Sequence, residues 1–161
     1  MRKIINPYDP ERNKCFGCSP TNPIGLHLEF YEDGEEVVTE WEPQEMLQGY
    51  LNVLHGGIQA TLHDEIASWT VYVKAGTAGV TSRLEVSYLK PVYVHKGKVT
   101  LRSRILTREE RYVTLHTRLF NAAGELCSEG RVIYYVYPTE LAMRRFHYPG
   151  REAFFSGDVS G

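Results

Sequence analysis

One long helical pattern stands alone in a chain whose other periodic segments all alternate. Ile58, Leu62, Ile66, Trp69 and Val73 fall on one stripe at helical spacing between Ile58 and about Lys74. Ala60, Ala67, Ser68, Val71 and Ala75 take up much of the remaining surface. A helix with so few charges is covered on most of its sides. Gly76 and Gly79 end it. Around it the period is two. GLHLEFY (Gly25 to Tyr31) puts Leu26, Leu28 and Phe30 on one face, Asp33-Gly34 is a hairpin signal, and Val37 to Trp41 returns. After the helix, RLEVSYLKPV, KVTLRSRIL and YVTLHTRLF alternate, and Leu126 to Tyr137 closes the series in VIYYVY. Two strands, one helix and four antiparallel strands predict an α+β domain with one long central helix wrapped by a curved antiparallel sheet of about six strands.

The expected boundaries are an irregular N-terminal arm over 1–24, a single domain over 25–137, and a short C-terminal helix with a loose tail over 138–161. One helix covers a six-stranded sheet incompletely. Exposed aromatics in VIYYVY therefore predict burial against a second subunit.

Net charge of -2 excludes a large basic field for nucleic acid or anionic membrane. No apolar run reaches the ~20 residues of a membrane span, and MRKIINPYDPERNK is not a secretory signal, so a cytoplasmic location is expected. Three cysteines make no disulfide framework. CFGC (Cys15 to Cys18) has the spacing of half a zinc site or a redox pair. A closed zinc site takes four ligands, and no second CxxC or HxxxH follows, so the motif reads as a tight loop with no metal.

VLHGGIQATLHDE (Val53 to Glu65) carries the chemistry. Helix N-termini present unpaired N–H groups and partial positive charge, and glycine lets another molecule approach them. His55-Gly56-Gly57 is therefore a place for a carbonyl oxygen or an anion. Asp64, a little over two turns on, lies beside Ala60, Ala67, Ser68 and Val71 and has no partner within the helix. Glu65 falls close to the apolar stripe, where a salt bridge to the sheet is an equal expectation. A carboxylate held among apolar groups tends to be paired or functional. His55 reads as a capping residue and His63 as a surface or interface residue. No GxSxG or GxGxxG is present, which leaves serine-nucleophile and dinucleotide chemistry without support.

These stretches carry a resemblance. CFGCSPTNPIGLHLEF, GYLNVLHGGIQATLHDE and SRLEVSYLKPV together resemble the hot-dog fold acyl-CoA thioesterases, in the subgroup like the phenylacetate-pathway enzyme, over roughly Cys15 to Tyr137. The resemblance implies a hot-dog fold, thioester hydrolysis without a cofactor, and homodimers or dimers of dimers with active sites at the subunit interface. It implies that Gly56 donates its N–H to the thioester oxygen and that Asp64 is general base or nucleophile. The family's amide residue lies six positions before the histidine, where this chain has Gly49. Gln48 is preferred for that role over Asn52, and Glu65 competes with Asp64. His55, Gly57, Asn52, Arg83 and Lys90 are expected to contact the acyl-CoA substrate, with Lys96 and Lys98 as further cations for its phosphates. A hot-dog hydratase or dehydratase, and a non-catalytic acyl-CoA binding module, are the rival readings.

Overall fold

The computed structural model describes residues 1–155. It has the hot-dog architecture: α1 (Gly56–Thr70) lies against a seven-stranded antiparallel sheet. The strands are β1 (Arg2–Ile4), β2 (Phe30–Asp33), β3 (Glu36–Trp41), β4 (Gly79–Tyr88), β5 (Val99–Glu109), β6 (Tyr112–Phe120) and β7 (Leu126–Val136). Their spatial order is β1-β2-β3-β5-β6-β7-β4. Thus β4, the strand that follows the helix, crosses to the far edge. Nine of its ten residues pair with β7, on one side only, with a bulge at Ser82, and Val80 to Arg83 are exposed.

Leu62, Ile66, Trp69 and Val73 are buried, as their spacing requires. Ala67 and Val71 face the other way, onto Val113, Leu115, Val132 and Val136 of the sheet. The helix continues through a π-helical turn over Val71–Ala75 and stops at Gly76, whose φ of 68° is the left-handed conformation of a helix end. No helix among the described residues is long and apolar enough to cross a membrane.

The structure differs from the sequence expectation in five places. The arm is not wholly irregular: Arg2–Ile4 pairs with β2 as a seventh strand. The C-terminal helix is α2 (Thr139–Arg145), but residues 151–155 are not loose. They form a 3-10 turn in which Phe154 is fully buried, stacked on Tyr72 at 5.2 Å and edge-on to Trp69 at 5.6 Å. Residues 156–161 of the expected tail lie outside the described residues. The strand expected over Gly25 to Tyr31 begins only at Phe30, and in VIYYVY the side chains of Val132, Tyr134 and Val136 are buried within the chain while the half-buried Tyr135 packs edge-on against Tyr112 and Tyr137. The strand left uncovered is β4. Helix periodicity cannot say which strand becomes the edge, because that depends on the crossover.

His63 is the fifth difference. It is fully buried, with Nδ1 2.7 Å from Thr117 Oγ1 and Nε2 2.7 Å from Ser128 Oγ. A Cβ on Gly130 would overlap Thr117 and crowd this ring, so glycine makes room for it. Two hydroxyls satisfy a neutral imidazole in either tautomer. Burial, with a smaller push from His116, brings the His63 pKa down from 6.5 to about 4. The neutral ring therefore favours the folded state above pH 6.5, and that contribution drains away as pH falls toward 4. Urea denaturation at pH 7 and pH 4 should show the wild type losing about 3 kcal/mol more than His63→Gln. Equal losses would contradict a buried neutral His63.

Candidate active site at the start of the central helix

The sequence LQGYLNVLHGG folds into a loop that delivers His55 as the N-cap of α1. The His55 N–H donates to the Leu47 carbonyl at 3.0 Å, and Leu54 N–H to Val92 at 2.8 Å, so the loop is tied down before the helix begins. His55 Nδ1 accepts the Gly57 N–H at 2.8 Å, and its carbonyl accepts from Ile58 and Gln59 at 3.0 and 3.1 Å. Of the first four helix N–H groups, this leaves Gly56 without a partner among the described residues. A cavity of 330 Å³ lies against that end, lined by Gly49, Tyr50, Val53, Leu54, His55 and Gly56. The glycine carbonyl is held from the other side: Tyr88, the last residue of β4, donates its hydroxyl to it at 2.6 Å. The result is one free, fixed N–H at the positive end of a helix, facing an apolar-lined recess.

β4 runs back along α1 and meets it again at Asp64. Thr81 Oγ1 donates to Asp64 Oδ1 at 2.6 Å. The Tyr134 hydroxyl, from β7, is 3.2 Å from the Asp64 carbonyl and 3.4 Å from Oδ1. Burial and the Asp64 charge both push the Tyr134 pKa up, so this phenol stays a donor. No cation pairs with Asp64 among the described residues. Its carboxylate is therefore oriented by two hydroxyls rather than neutralised.

Residues 51–128, which run from the helix-start loop through β4, β5 and β6 into β7, match the profile described as Thioesterase superfamily. Over that stretch, a little under half of its length, the chain is similar to the thioesterase superfamily. It is similar to acyl-coenzyme A thioesterase 13 of Mus musculus, 26% identical over 99 residues that span 60% of this chain and 70% of that protein. A solved thioesterase superfamily protein aligns with a TM-score of 0.67 at 20% identity, over 81% of this chain and 68% of its own. A Streptococcus mutans protein, solved bound to acetyl CoA, aligns with a TM-score of 0.63 at 18% identity, over 70% of this chain and 90% of its own.

Within this hot-dog fold the remaining sequence-predicted residues scatter. Asp64 and Glu65 are neighbours in sequence, about 100° apart around the helix. Glu65 points away from β4, into the N-terminal arm. Its Oε1 accepts from Trp69 Nε1 at 3.2 Å and from Cys15 Sγ at 3.4 Å. It too lacks a cationic partner among the described residues. Burial, and then the Cys15 charge, bring its pKa up to about 7. Within the arm the Cys18 thiol donates toward Cys15 and, with backbone N–H groups of the same turn, holds the Cys15 pKa down.

Gln48 uses its side-chain oxygen to accept the Asn52 N–H at 2.7 Å, closing the loop in which Asn52 takes a φ of 65°. Gln48 thus fixes the loop beside the recess, and its amide NH2 has no partner among the described residues. Arg83 pairs with Glu85 at 2.6 Å on exposed β4. Lys90 pairs with Glu125 at 2.5 Å and, with Tyr93 and Lys96, lines a separate cleft of 380 Å³. Lys98 lies on another depression beside Glu36 and Arg102.

Sequence reasoning missed Thr81 and Tyr134, whose hydroxyls reach Asp64 from strands 17 and 70 residues away. Nothing local marks them. Trp69 was readable as a partner of Glu65, since i and i+4 share a helix face. The capping geometry predicts that His55→Ala costs about 1 kcal/mol of stability by urea denaturation, because the Gly57 N–H loses its acceptor. No loss would mean that the ring is not serving as a cap.

Proposed function

We propose that the chain is an acyl-CoA thioesterase that works as a homodimer, with Gly56 of one protomer and Asp64 of the other at each active site. The observation that carries this reading is the Gly56 N–H, which has no partner among the described residues and lies beside a recess. The thioester oxygen accepts from it, and the charge that develops there sits at the positive end of α1. One such donor is worth ~2.7–4 kcal/mol of barrier. A water deprotonated by an Asp64 carboxylate attacks the carbonyl carbon. The tetrahedral intermediate expels the CoA thiolate, which takes the proton back from Asp64. The products are a free acid and CoA.

Helix geometry supports a site shared between two chains. Asp64 lies eight residues after Gly56, about 12 Å along the axis. A carbonyl carbon bound at the Gly56 N–H, which points back out of the helix end, is then on the order of 10 Å or more from its own Asp64, beyond a direct attack or one bridging water. A second copy supplies the missing acid. The exposed ten-residue edge of β4, which carries Thr81 and Tyr88, is the surface a partner of identical sequence would cover.

The likeness to mouse acyl-coenzyme A thioesterase 13 supports the substrate class, as does the fold shared with an acetyl-CoA-bound protein. Lys90 and Lys96 are the cations offered to CoA phosphates, and the Gln48 NH2 group is the amide offered to the substrate or the water. Asp64 is the acid in preference to Glu65, whose carboxyl oxygen is committed to Trp69 and Cys15.

Thiol release from a panel of acyl-CoAs tests this. Asp64→Asn should lower kcat/KM at least ~100-fold on every substrate turned over. Gly56→Pro removes the N–H at a position where proline suits a helix start, and His55 already has the extended ψ of 135° that a following proline prefers. It should lower kcat by ~10²–10³-fold with helix content unchanged. A full panel without turnover, or loss in Glu65→Gln and not in Asp64→Asn, would overturn the assignment.

A further inference from the structure

The CFGC turn and Glu65 play no part in the chemistry above, yet they are built against each other. Cys15 Sγ, Cys18 Sγ and a Glu65 carboxylate oxygen all lie within 4.8 Å of one another. The turn is fixed on both flanks: Asn13 Oδ1 accepts the Cys15 N–H at 2.9 Å, Ser19 N–H donates to the Cys15 carbonyl at 3.1 Å, and Leu28 N–H donates to Gly17 at 2.9 Å. A Cβ on Gly17 would overlap the Glu65 carboxyl group, so the backbone between the two cysteines is pressed onto that acid. Three anionic or potentially anionic donors converge with no lysine or arginine paired to any of them among the described residues.

We propose that Cys15, Cys18 and Glu65 bind a thiophilic divalent cation, zinc, leaving one coordination position open. Tetrahedral zinc with Zn–S of ~2.3 Å and Zn–O of ~2.0–2.2 Å places sulfur and oxygen ~3.5 Å apart. Cys15 Sγ and Glu65 Oε1 are 3.4 Å apart already. The indole N–H of Trp69, 3.2 Å from the same oxygen, is the outer-shell donor that orients a ligating carboxylate. A 380 Å³ cleft bounded by Asn6, Cys18, Leu28, Phe30 and Trp69 gives the ion a path to Cys18. Both cysteines bind as thiolates and Glu65 as carboxylate, and whatever protons the three still carry leave to solvent. The ion ties the N-terminal arm to α1 next to Asp64. This inference is independent of the thioesterase reading, since it uses none of the same side chains.

The test is zinc and cobalt titration of the full chain, purified metal-free under reducing conditions. One equivalent of zinc per chain should bind and protect two thiols from a thiol reagent. Cobalt should give the thiolate-to-metal charge-transfer band of a two-sulfur site. Cys15→Ser and Cys18→Ser, with folding checked by circular dichroism, should abolish stoichiometric binding, and Glu65→Gln should weaken it at least ~10-fold. Cys127→Ser, whose thiol lies at the start of β7, should bind as the wild type does. Wild-type protein that takes up no zinc at micromolar concentration, or gives no thiolate band with cobalt, would overturn the site. So would a Glu65→Gln variant with unchanged affinity. A Cys15–Cys18 disulfide forming in air while the reduced protein ignores zinc would instead make the pair a redox dithiol.

Discussion

Burying one helix on nearly every side is the constraint from which the rest of this structure follows. Leu62, Ile66, Trp69 and Val73 need apolar cover on one side, and Ala67 and Val71 need it on another. A flat sheet covers only one of these, so the sheet curves. The start of β2 and the C-terminal segment close what the rest of the sheet leaves open: Phe30 stacks on Trp69 at 4.7 Å and Phe154 meets the same ring edge-on. A helix held this way cannot tilt or slide without opening the core. Its first N–H groups and the carboxylates along it are therefore fixed to the frame. That rigidity lets Gly56 present a donor at a defined point and lets Thr81 and Tyr134 meet Asp64.

The same burial creates an asymmetry between two adjacent acids. Asp64 emerges under β4, among hydroxyls, near an edge that its own chain leaves uncovered. Glu65 turns into the arm, among sulfur and indole. A rotation of about 100° separates a carboxylate available to a substrate from one enclosed by protein. The crossover that sends β4 to the far edge completes the arrangement. It lays Thr81 and Tyr88 along the helix while leaving the outer backbone of the strand unpaired. A long unpaired edge is a liability in a lone chain and a seam in a dimer.

Much of this was legible in the sequence, for reasons that can be named. The helix was readable because its stripe persists over four turns, and the strands because their period switches to two at Arg83. Gly56 stood out because glycine at a helix start removes the cover from an N–H. The edge strand was not legible: VIYYVY looks more exposed than RLEVSY, and only the crossover decides otherwise. His63 looked like a surface residue because its two hydroxyl partners lie 54 and 65 residues away. The clustering of Cys15 and Cys18 with Glu65 was hidden for the same reason, since the third group comes from the middle of the helix. Phe154 was lost in a polar, glycine-rich tail whose composition gives no hint of a buried ring.

The central claim is that each site is shared between two chains, and subunit mixing tests it most directly. Gly56→Pro and Asp64→Asn chains are each purified, mixed, unfolded and refolded together, and assayed on the best acyl-CoA of the panel. In a mixed dimer one site combines the intact Gly56 of one chain with the intact Asp64 of the other, and the second site carries both defects. Random pairing then predicts recovery to about one quarter of wild-type activity. Activity that stays at the level of the two parents would mean that Gly56 and Asp64 act within one chain or do not act together.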